Sequence, residues 1–117
     1  MDIAPVKAEI SIDDLHKIDI RIGTILSVTE IERSRDLVHL IVDFGSECRN
    51  VIVGMKQERE NVQEVAGRQA LFVVNLPPRK MAGIVSQAML FDIGHADKLT
   101  PVLALPERPV PDGARAG

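Results

Sequence analysis

The chain has 117 residues, of which 45% are hydrophobic and 26% charged, and its net charge at pH 7 is −3. This length suits one domain with a single core, and the acidic balance argues against indiscriminate nucleic-acid binding, which needs a basic field over much of the surface. No apolar run approaches the roughly 20 residues needed to cross a bilayer, so we expect a cytoplasmic protein that makes no membrane contact.

The N-terminal residues 1–10 show no sustained hydrophobic period and are expected to form an arm. The domain is predicted to span residues 11–113, followed by a tail at residues 114–117. Ser11 and the acids after it predict a short helical turn with Ser11 as its N-cap. The Pro- and Gly-rich stretch from residue 106 to the end is expected to be irregular.

Apolar runs bounded by turn residues predict five strands and a weaker sixth one. Gly23 marks a bend or bulge in the first strand, as a small barrel needs. Residues 58–66 favour a short helix that ends at Gly67. The strands are Ile18–Val28, Leu37–Phe44, Asn50–Val53, Gln69–Leu76, Ile84–Ile93 and, as the weaker one, Leu99–Leu105.

Three strands, a helix and two more strands form the order of an OB-fold, the five-stranded Greek-key barrel that binds oligonucleotides and oligosaccharides. A five-stranded SH3-like barrel or a swapped β-sandwich fits the strand count, but the helix between the third and fourth strands favours the OB-fold. The sequence therefore predicts an all-β OB-fold with extra terminal segments.

Nothing in the sequence indicates catalysis, a cofactor or a metal site. The three histidines lie far apart, and neither a nucleophile motif nor a glycine-rich phosphate loop is present. Cys48 is expected to be a buried or half-buried thiol. Phe44, Phe72 and Phe91 lie in apolar strands and are expected in the core. A general single-strand binder, which stacks bases on aromatic rings, is therefore disfavoured against recognition of a folded RNA through phosphates, 2′-hydroxyls and shape.

The clearest local motif is NLPPRKMAG, residues 75–83. Its two prolines stiffen the connection between two apolar strands and present Arg79 and Lys80 at a low entropic cost of ordering. Arginine offers phosphate oxygens a planar fork of donors, and lysine offers a compact charge. The motif predicts phosphate contact, with a proline-rich loop carrying two solvated charges as the alternative.

The surroundings of this motif are locally basic, because residues 49–86 hold six basic and three acidic side chains. In an OB barrel this region lies beside the binding face, and the first loop is also a ligand-binding loop. Acids in that loop weaken its positive field. Further basic residues that are candidates for a discontinuous basic track are Arg33, Arg35, Arg49, Lys56, Arg59 and Arg68.

The stretches RNVIVGM (49–55) and VVNLPPRKMAGIVSQAMLF (73–91) resemble the tRNA-binding domain found at the C-terminus of many methionyl-tRNA synthetases. The same domain occurs in the bacterial phenylalanyl-tRNA synthetase β chain and as free-standing dimeric proteins. Residues 19–32 and 42–45 match it too, so the resemblance covers about residues 13–113. It implies an OB-fold, a homodimer formed through segments outside the barrel, and tRNA as the partner.

A branch of this family, the CsaA-type protein, is described as a peptide-binding secretion chaperone. Lys56-Gln57 and the PPRKMAG run resemble that branch, so unfolded peptides are alternative partners, and an aminoacyl-tRNA synthetase is a further one. The family often has Glu-Gly where this chain has Gln87-Ala88, and Asp-Lys-Leu where it has Arg35-Asp36-Leu37. The predicted RNA-binding residues are Arg79, Lys80, Asn75, Ser86 and Met89 from the motif, with Arg49, Lys56 and Arg33 beside it.

Overall fold

The computed structural model describes every residue from Met1 to Gly117. Its helical elements are short: helix α1 at Ile12–Leu15, capped by Ser11 as predicted, and two 3₁₀ helices at Val62–Val65 and His95–Asp97. None of them has the length and hydrophobicity needed to span a bilayer. The strands are β1 Ile20–Glu30, β2 Val38–Asp43, β3 Cys48–Val53, β4 Gln69–Val73, β5 Arg79–Met81, β6 Ile84–Ser86 and β7 Met89–Leu90.

Five strands form one antiparallel sheet in the order β3-β2-β1-β4-β7, and β5 and β6 form a separate hairpin. Strand β1 curls the sheet, because its first half pairs with β4 and its second half with β2, the two halves meeting at Thr24. Gly23 lies at this bend, where an added Cβ would come within 2.4 Å of Val42 Cγ1. The register shift of the bulge lies slightly later, between Ile25 and Ser27.

The barrel closes between β3 and the chain that leaves β6, largely through side chains. Ser86 Oγ accepts a hydrogen bond from the Ile52 N–H at 3.0 Å, and Gln87 Oε1 accepts one from the Asn50 N–H at 2.9 Å. The Gln87 N–H donates to the Asn50 carbonyl at 2.8 Å. The curled and closed sheet is an OB-like barrel, so the predicted all-β fold class is confirmed.

The core fills the inside of the curled sheet with the inward residues of each strand. Phe44 and Phe72 meet edge to face there, with ring centroids 5.4 Å apart. Phe91 is 45% exposed, so its predicted burial is wrong. The reason is alternation along the chain: Leu90 takes the inward position, which turns the next residue outward. The largest fully buried side chains are Phe72, Ile25, Leu40, Met55, Val38, Val42, Val51 and Val65.

Cys48 is exposed, and its predicted burial is also wrong. The residue pairs with Asp43 at the outer end of β3. Counting back from buried Val51 places Cys48 on the outer face of the sheet. The hairpin that covers Ile52 on that face does not extend to the end of the strand.

Three predicted elements differ most from the observed ones. The fifth strand, Ile84–Ile93, is divided into β6 and β7 because the chain crosses at Gln87-Ala88 from the β3 edge to the β4 edge. The helix predicted at residues 58–66 is only the 3₁₀ turn, which starts after Asn61 caps the Gln63 N–H. The weaker strand, Leu99–Leu105, makes a single bridge, between Val102 and Ile93.

The last residues contain no helix or strand, yet they pair with the free edge of β1. The Ile22 N–H donates to the Ala114 carbonyl at 2.9 Å, and the Gly113 N–H donates to the Ile22 carbonyl at 2.8 Å. Asp112 accepts a hydrogen bond from Thr24 Oγ1 at 2.6 Å. The C-terminal segment therefore covers an edge that the five-stranded sheet leaves open.

Candidate nucleic-acid interface

Arg79 and Lys80 project from the β5–β6 hairpin, whose two-residue turn is Ala82-Gly83. Both turn residues have positive φ, 50° and 80°, which is the signature of the type I′ turn preferred in two-residue hairpins. The side chains of Arg79 and Lys80 are exposed and take part in none of the hydrogen bonds or ion pairs of the structure. Both cations are therefore free to meet phosphate oxygens.

Arg49, in contrast, uses its guanidinium inside the protein. Nε and Nη2 donate to Glu47 Oε1 at 3.1 and 3.0 Å. Nη1 donates to the carbonyls of Val74 at 2.7 Å and Gln87 at 3.0 Å, and the guanidinium carbon lies 5.9 Å from the centre of the Phe44 ring. Arg49 thus ties β3 to the segments on both sides of the hairpin.

Asn75 and Ser86 hold the two ends of the same hairpin. Asn75 Oδ1 accepts a hydrogen bond from the Asp19 N–H at 3.0 Å, and its Nδ2 donates to the Lys17 carbonyl at 2.7 Å. Ser86 is buried, and its hydroxyl donates to the Ala88 carbonyl at 3.2 Å while it accepts the bond from β3 described above. The polar groups of both side chains are satisfied by backbone.

Lys56 and Arg33 both donate hydrogen bonds to backbone carbonyls in or next to the first loop, residues 31–37, which follows β1. Lys56 Nζ donates to the carbonyls of Ile31 at 3.0 Å and Ser34 at 2.9 Å. Arg33 Nη2 donates to the carbonyl of Ala82, in the turn of the β5–β6 hairpin. The first loop and the hairpin are therefore in direct contact.

The remaining basic residues do not form one continuous track. Arg59 is nearly buried and lies 3.5 Å from carboxylate oxygens of Glu58 and Glu64. Arg35 and Arg68 are exposed without a partner, but Arg68 lies beside the segment 105–109 on another part of the surface. The Arg33–Ala82 hydrogen bond links the loop that carries Arg33 and Arg35 to the hairpin that carries Arg79 and Lys80, and Arg59 and Arg68 lie outside these two segments.

Two ionisable groups near the barrel ends have shifted pKa values. The hydrogen-bonded ion pair with Arg21, at 3.0 Å, holds the pKa of the Asp19 carboxyl below its ordinary 3.8. Burial raises the pKa of Glu58 above its ordinary 4.5, although Arg59 opposes the shift. Neither group lies on the β5–β6 hairpin.

One residue that shapes the site was not predicted. Gln87 supplies both a side-chain acceptor and a backbone donor to β3 at the point of closure. Its position directly after Ser86, in place of the glutamate that the family often has, was the available signal. A carboxylate and an amide oxygen both accept a hydrogen bond, so the substitution preserves the acceptor.

An OB-like barrel is a fold of proteins that bind oligonucleotides or oligosaccharides, and an exposed basic hairpin suits an anionic ligand. The chain belongs to the family described as "Putative tRNA binding domain", whose family model matches residues 20–115. The resemblance predicted from its motifs is thereby confirmed.

The similar proteins are synthetase domains and small proteins of the same fold. A methionine–tRNA ligase of Bacteroides fragilis is 36% identical over 110 residues, which are 94% of this chain and 16% of that enzyme. The crystal structure of a MetRS-related protein from Pyrococcus horikoshii has a TM-score of 0.86 and 32% identity, and the match covers 95% of this chain and 100% of that one. Chaperone CsaA from Bacillus anthracis has a TM-score of 0.79 and 27% identity, with 94% and 100% covered.

Proposed function

We propose that this protein binds folded tRNA without catalysing a reaction, as a homodimer in the cytoplasm, through Arg79 and Lys80 of the β5–β6 hairpin. The observation that carries the proposal is that these two cations are exposed and unpaired on a hairpin that lies within residues 20–115, the part of the chain that the family model matches. Met89, which is 47% exposed in β7, is the proposed apolar contact. Asn75, Ser86 and Arg49 serve the site by holding the hairpin in place.

Recognition of a folded RNA suits the residues around the hairpin. Sequence-tolerant single-strand binding relies on aromatic rings that stack with successive bases. Phe91 is the one exposed aromatic side chain of this chain, since Phe44 and Phe72 are buried. Phosphate and 2′-hydroxyl contacts, placed by the shape of the RNA, are the remaining route to affinity.

A dimer would present the hairpin twice and so double a small local positive charge. Support for it comes from the arm of residues 1–10, which lies outside the proposed domain of residues 11–113. Ile3 and Val6 of this arm are 87% and 99% exposed. Several exposed apolar side chains in one segment are a feature of protein–protein interaction sites when they form a contiguous patch.

A gel-shift titration with tRNA at several salt concentrations tests this function. We expect binding at low salt that weakens steeply as salt rises, because phosphate contacts release counterions. The double variant Arg79→Ala, Lys80→Ala should lose most of this binding. The matched control, Arg68→Ala with Lys98→Ala, removes two exposed unpaired cations outside both the hairpin and the arm and should bind like the wild type. Absence of wild-type binding at low salt, or full binding by the hairpin variant, would overturn the proposal.

A second candidate is the binding of unfolded peptides. It is favoured by the similarity to chaperone CsaA from Bacillus anthracis and by the exposed apolar side chains of Leu76, Met89 and Phe91. The discriminating measurement is the aggregation of an unfolded client protein with and without excess tRNA. Suppression of aggregation that tRNA does not compete away, together with weak tRNA binding, would favour the chaperone function.

A methionyl-tRNA synthetase is a candidate protein partner. The matched region is only a small part of the methionine–tRNA ligase of Bacteroides fragilis, so the RNA-binding segment and the remainder of that enzyme act within one chain there. We propose that this protein supplies the same segment to a synthetase in trans. Co-purification of the two proteins tests this, and their independent elution at micromolar concentration would count against it.

A further inference from the structure

The first loop, residues 31–37, receives hydrogen bonds from two consecutive residues, Lys56 and Gln57. Besides the two bonds from Lys56 Nζ, the Lys56 N–H donates to the Asp36 carbonyl at 2.9 Å, and Gln57 Nε2 donates to the Arg35 carbonyl at 3.1 Å. Within the loop, Ser34 Oγ accepts from the Asp36 N–H at 3.3 Å. The backbone of the loop is therefore fixed at several points although it lies on the surface.

The same loop is joined to the β5–β6 hairpin by Arg33. The guanidinium donates to the Ala82 carbonyl, and Ala82 is in the left-handed region with φ 50°. Residues other than glycine seldom adopt this conformation unless the surroundings hold them there. A charged hydrogen bond to the carbonyl of that residue is such a restraint, and it connects the loop with the hairpin turn.

Three exposed and unpaired cations lie within a few residues of this connection along the chain. Arg35 is two residues from Arg33, and Lys80 is two residues from Ala82, with Arg79 next to it. Most other cations are engaged in hydrogen bonds or ion pairs. The remaining unpaired ones are Lys7 in the arm, Arg68, and Lys98 after the second 3₁₀ helix.

We propose that the first loop and the hairpin form one preorganised phosphate-binding surface, the loop–hairpin surface, consisting of residues 31–37 and 79–86. On it Arg35 contacts phosphate together with Arg79 and Lys80, while Lys56 and Arg33 are positioning residues. The inference rests on the proposed tRNA binding. It adds Arg35 as a third phosphate contact, and it separates the cations that contact phosphate from those that hold the loop and the hairpin in place.

The bonding of Lys56 is the reason for assigning it a positioning role. Its ammonium is half-buried and already donates to two loop carbonyls, so turning it toward a phosphate would release the loop that carries Arg35. Fixing a surface loop before binding removes the entropy that binding would otherwise have to spend on ordering it. Lys56 thus raises affinity without adding a phosphate contact.

The dependence of tRNA affinity on salt separates the two roles. The same substitution is made at both lysines, Lys56→Met and Lys80→Met. Each lost phosphate contact lowers the slope of log affinity against log salt by about 0.7 to 0.9. We expect Lys80→Met to lower the slope by at least this amount, and Lys56→Met to weaken binding several-fold at every salt concentration with the wild-type slope.

Hydrogen exchange provides the second readout. In Lys56→Met the amides of residues 31–37 should exchange faster, while those of β1 and β2 keep their protection. Gln57→Ala, which removes only the bond to the Arg35 carbonyl, is the milder variant should Lys56→Met unfold. Unchanged loop exchange in both variants, or a slope lowered by Lys56→Met as much as by Lys80→Met, overturns the positioning role.

Arg35→Gln tests the third contact, with Arg68→Gln as its matched control. Both arginines are exposed and unpaired, but only Arg35 belongs to the loop–hairpin surface. Arg35→Gln should lower the salt slope and Arg68→Gln should leave it unchanged. Equal slopes for the two variants contradict the assignment. Failure of the wild type to bind tRNA at all would instead reject the proposed function, with the loop exchange still deciding the role of Lys56.

Discussion

The hydroxyl of Ser86 accepts a hydrogen bond from the backbone N–H of Ile52 at 3.0 Å, across the line where the barrel closes. Strand β3 is the last strand of the five-stranded sheet, so this N–H has no neighbouring strand to bind. The buried Ser86 side chain takes the place of the carbonyl that a neighbouring strand would supply. The barrel therefore closes at that point without a full ladder of backbone hydrogen bonds.

We predict that Ser86→Ala destabilises the fold by about 1 to 3 kcal/mol, because it leaves the buried Ile52 N–H without an acceptor. Urea unfolding measures the change. Ser46→Ala, at an exposed turn residue, is the control and should stay close to wild type. Equal stability of the two variants would mean that the hydroxyl has no structural role.

Gly23 provides a test of the bend in β1. An added Cβ would lie 2.4 Å from Val42 Cγ1 and 2.8 Å from Phe44 Cε1, so Gly23→Ala should destabilise the protein by about 1 to 3 kcal/mol through overpacking. Gly54→Ala is the matched control, because a Cβ there meets no atom within 4 Å. The comparison fails to support the bend if both variants melt at the same temperature.

Glu58 should affect how the stability of the protein changes with pH. Burial raises the pKa of this carboxyl above 4.5, so the protonated form stabilises the fold below that value and the contribution is lost as the pH rises through the folded pKa. Glu58→Gln should therefore be more stable than wild type at neutral pH, and the advantage should disappear in acid. Unfolding curves between about pH 3 and pH 8 test this.

Asp19→Asn should show the opposite sign in the same experiment. The ion pair with Arg21 lowers the pKa of Asp19 below 3.8, so the ionised carboxyl stabilises the fold above that value, and the contribution is lost as the pH falls through the folded pKa. The variant should be less stable than wild type at neutral pH and equal to it in strong acid. The same direction of change in both variants would contradict the two assignments.

Removal of residues 1–10 tests the role of the arm in the proposed dimer. Ile10 is 65% exposed, like the other apolar residues of the arm, and no contact in the single chain explains them. Light scattering at micromolar concentration should show a dimer for the full chain and a smaller average mass for the truncated one. A full chain that is monomeric at this concentration would contradict the dimer itself.

The strands were predictable where one face of the sheet is buried. In β1, Ile25 is buried in the core and the next residue, Leu26, is 52% exposed, so inward and outward positions alternate there, and the continuous apolar residues of β2 reflect a central strand. The division of the fifth strand was not predictable from this pattern, because hydrophobicity reports burial but not which neighbouring edge a segment pairs with. The outward positions of Cys48 and Phe91 could have been predicted from the alternation of inward and outward side chains along the chain.

The sequence motif predicted which residues belong to the site, but it did not predict which of their side chains are free and which are bonded within the protein. The sequence shows that Arg49 and Lys56 are cations, and it does not show the carbonyls of Val74 or Ile31 to which they bind. Such partners are distant along the chain and meet only through the barrel. The free state of Arg79 and Lys80 likewise follows from the fold and not from the motif.

Competition between two RNAs tests whether the protein recognises folded tRNA. The wild-type protein, bound to labelled tRNA at low salt, is titrated with unlabelled folded tRNA and, separately, with a single-stranded RNA of the same length. We expect folded tRNA to compete at clearly lower concentration, because the shape of the RNA places the phosphate contacts and this protein has only one exposed aromatic ring for stacking. Equal or stronger competition by the single strand, or no binding of tRNA at all, would contradict it.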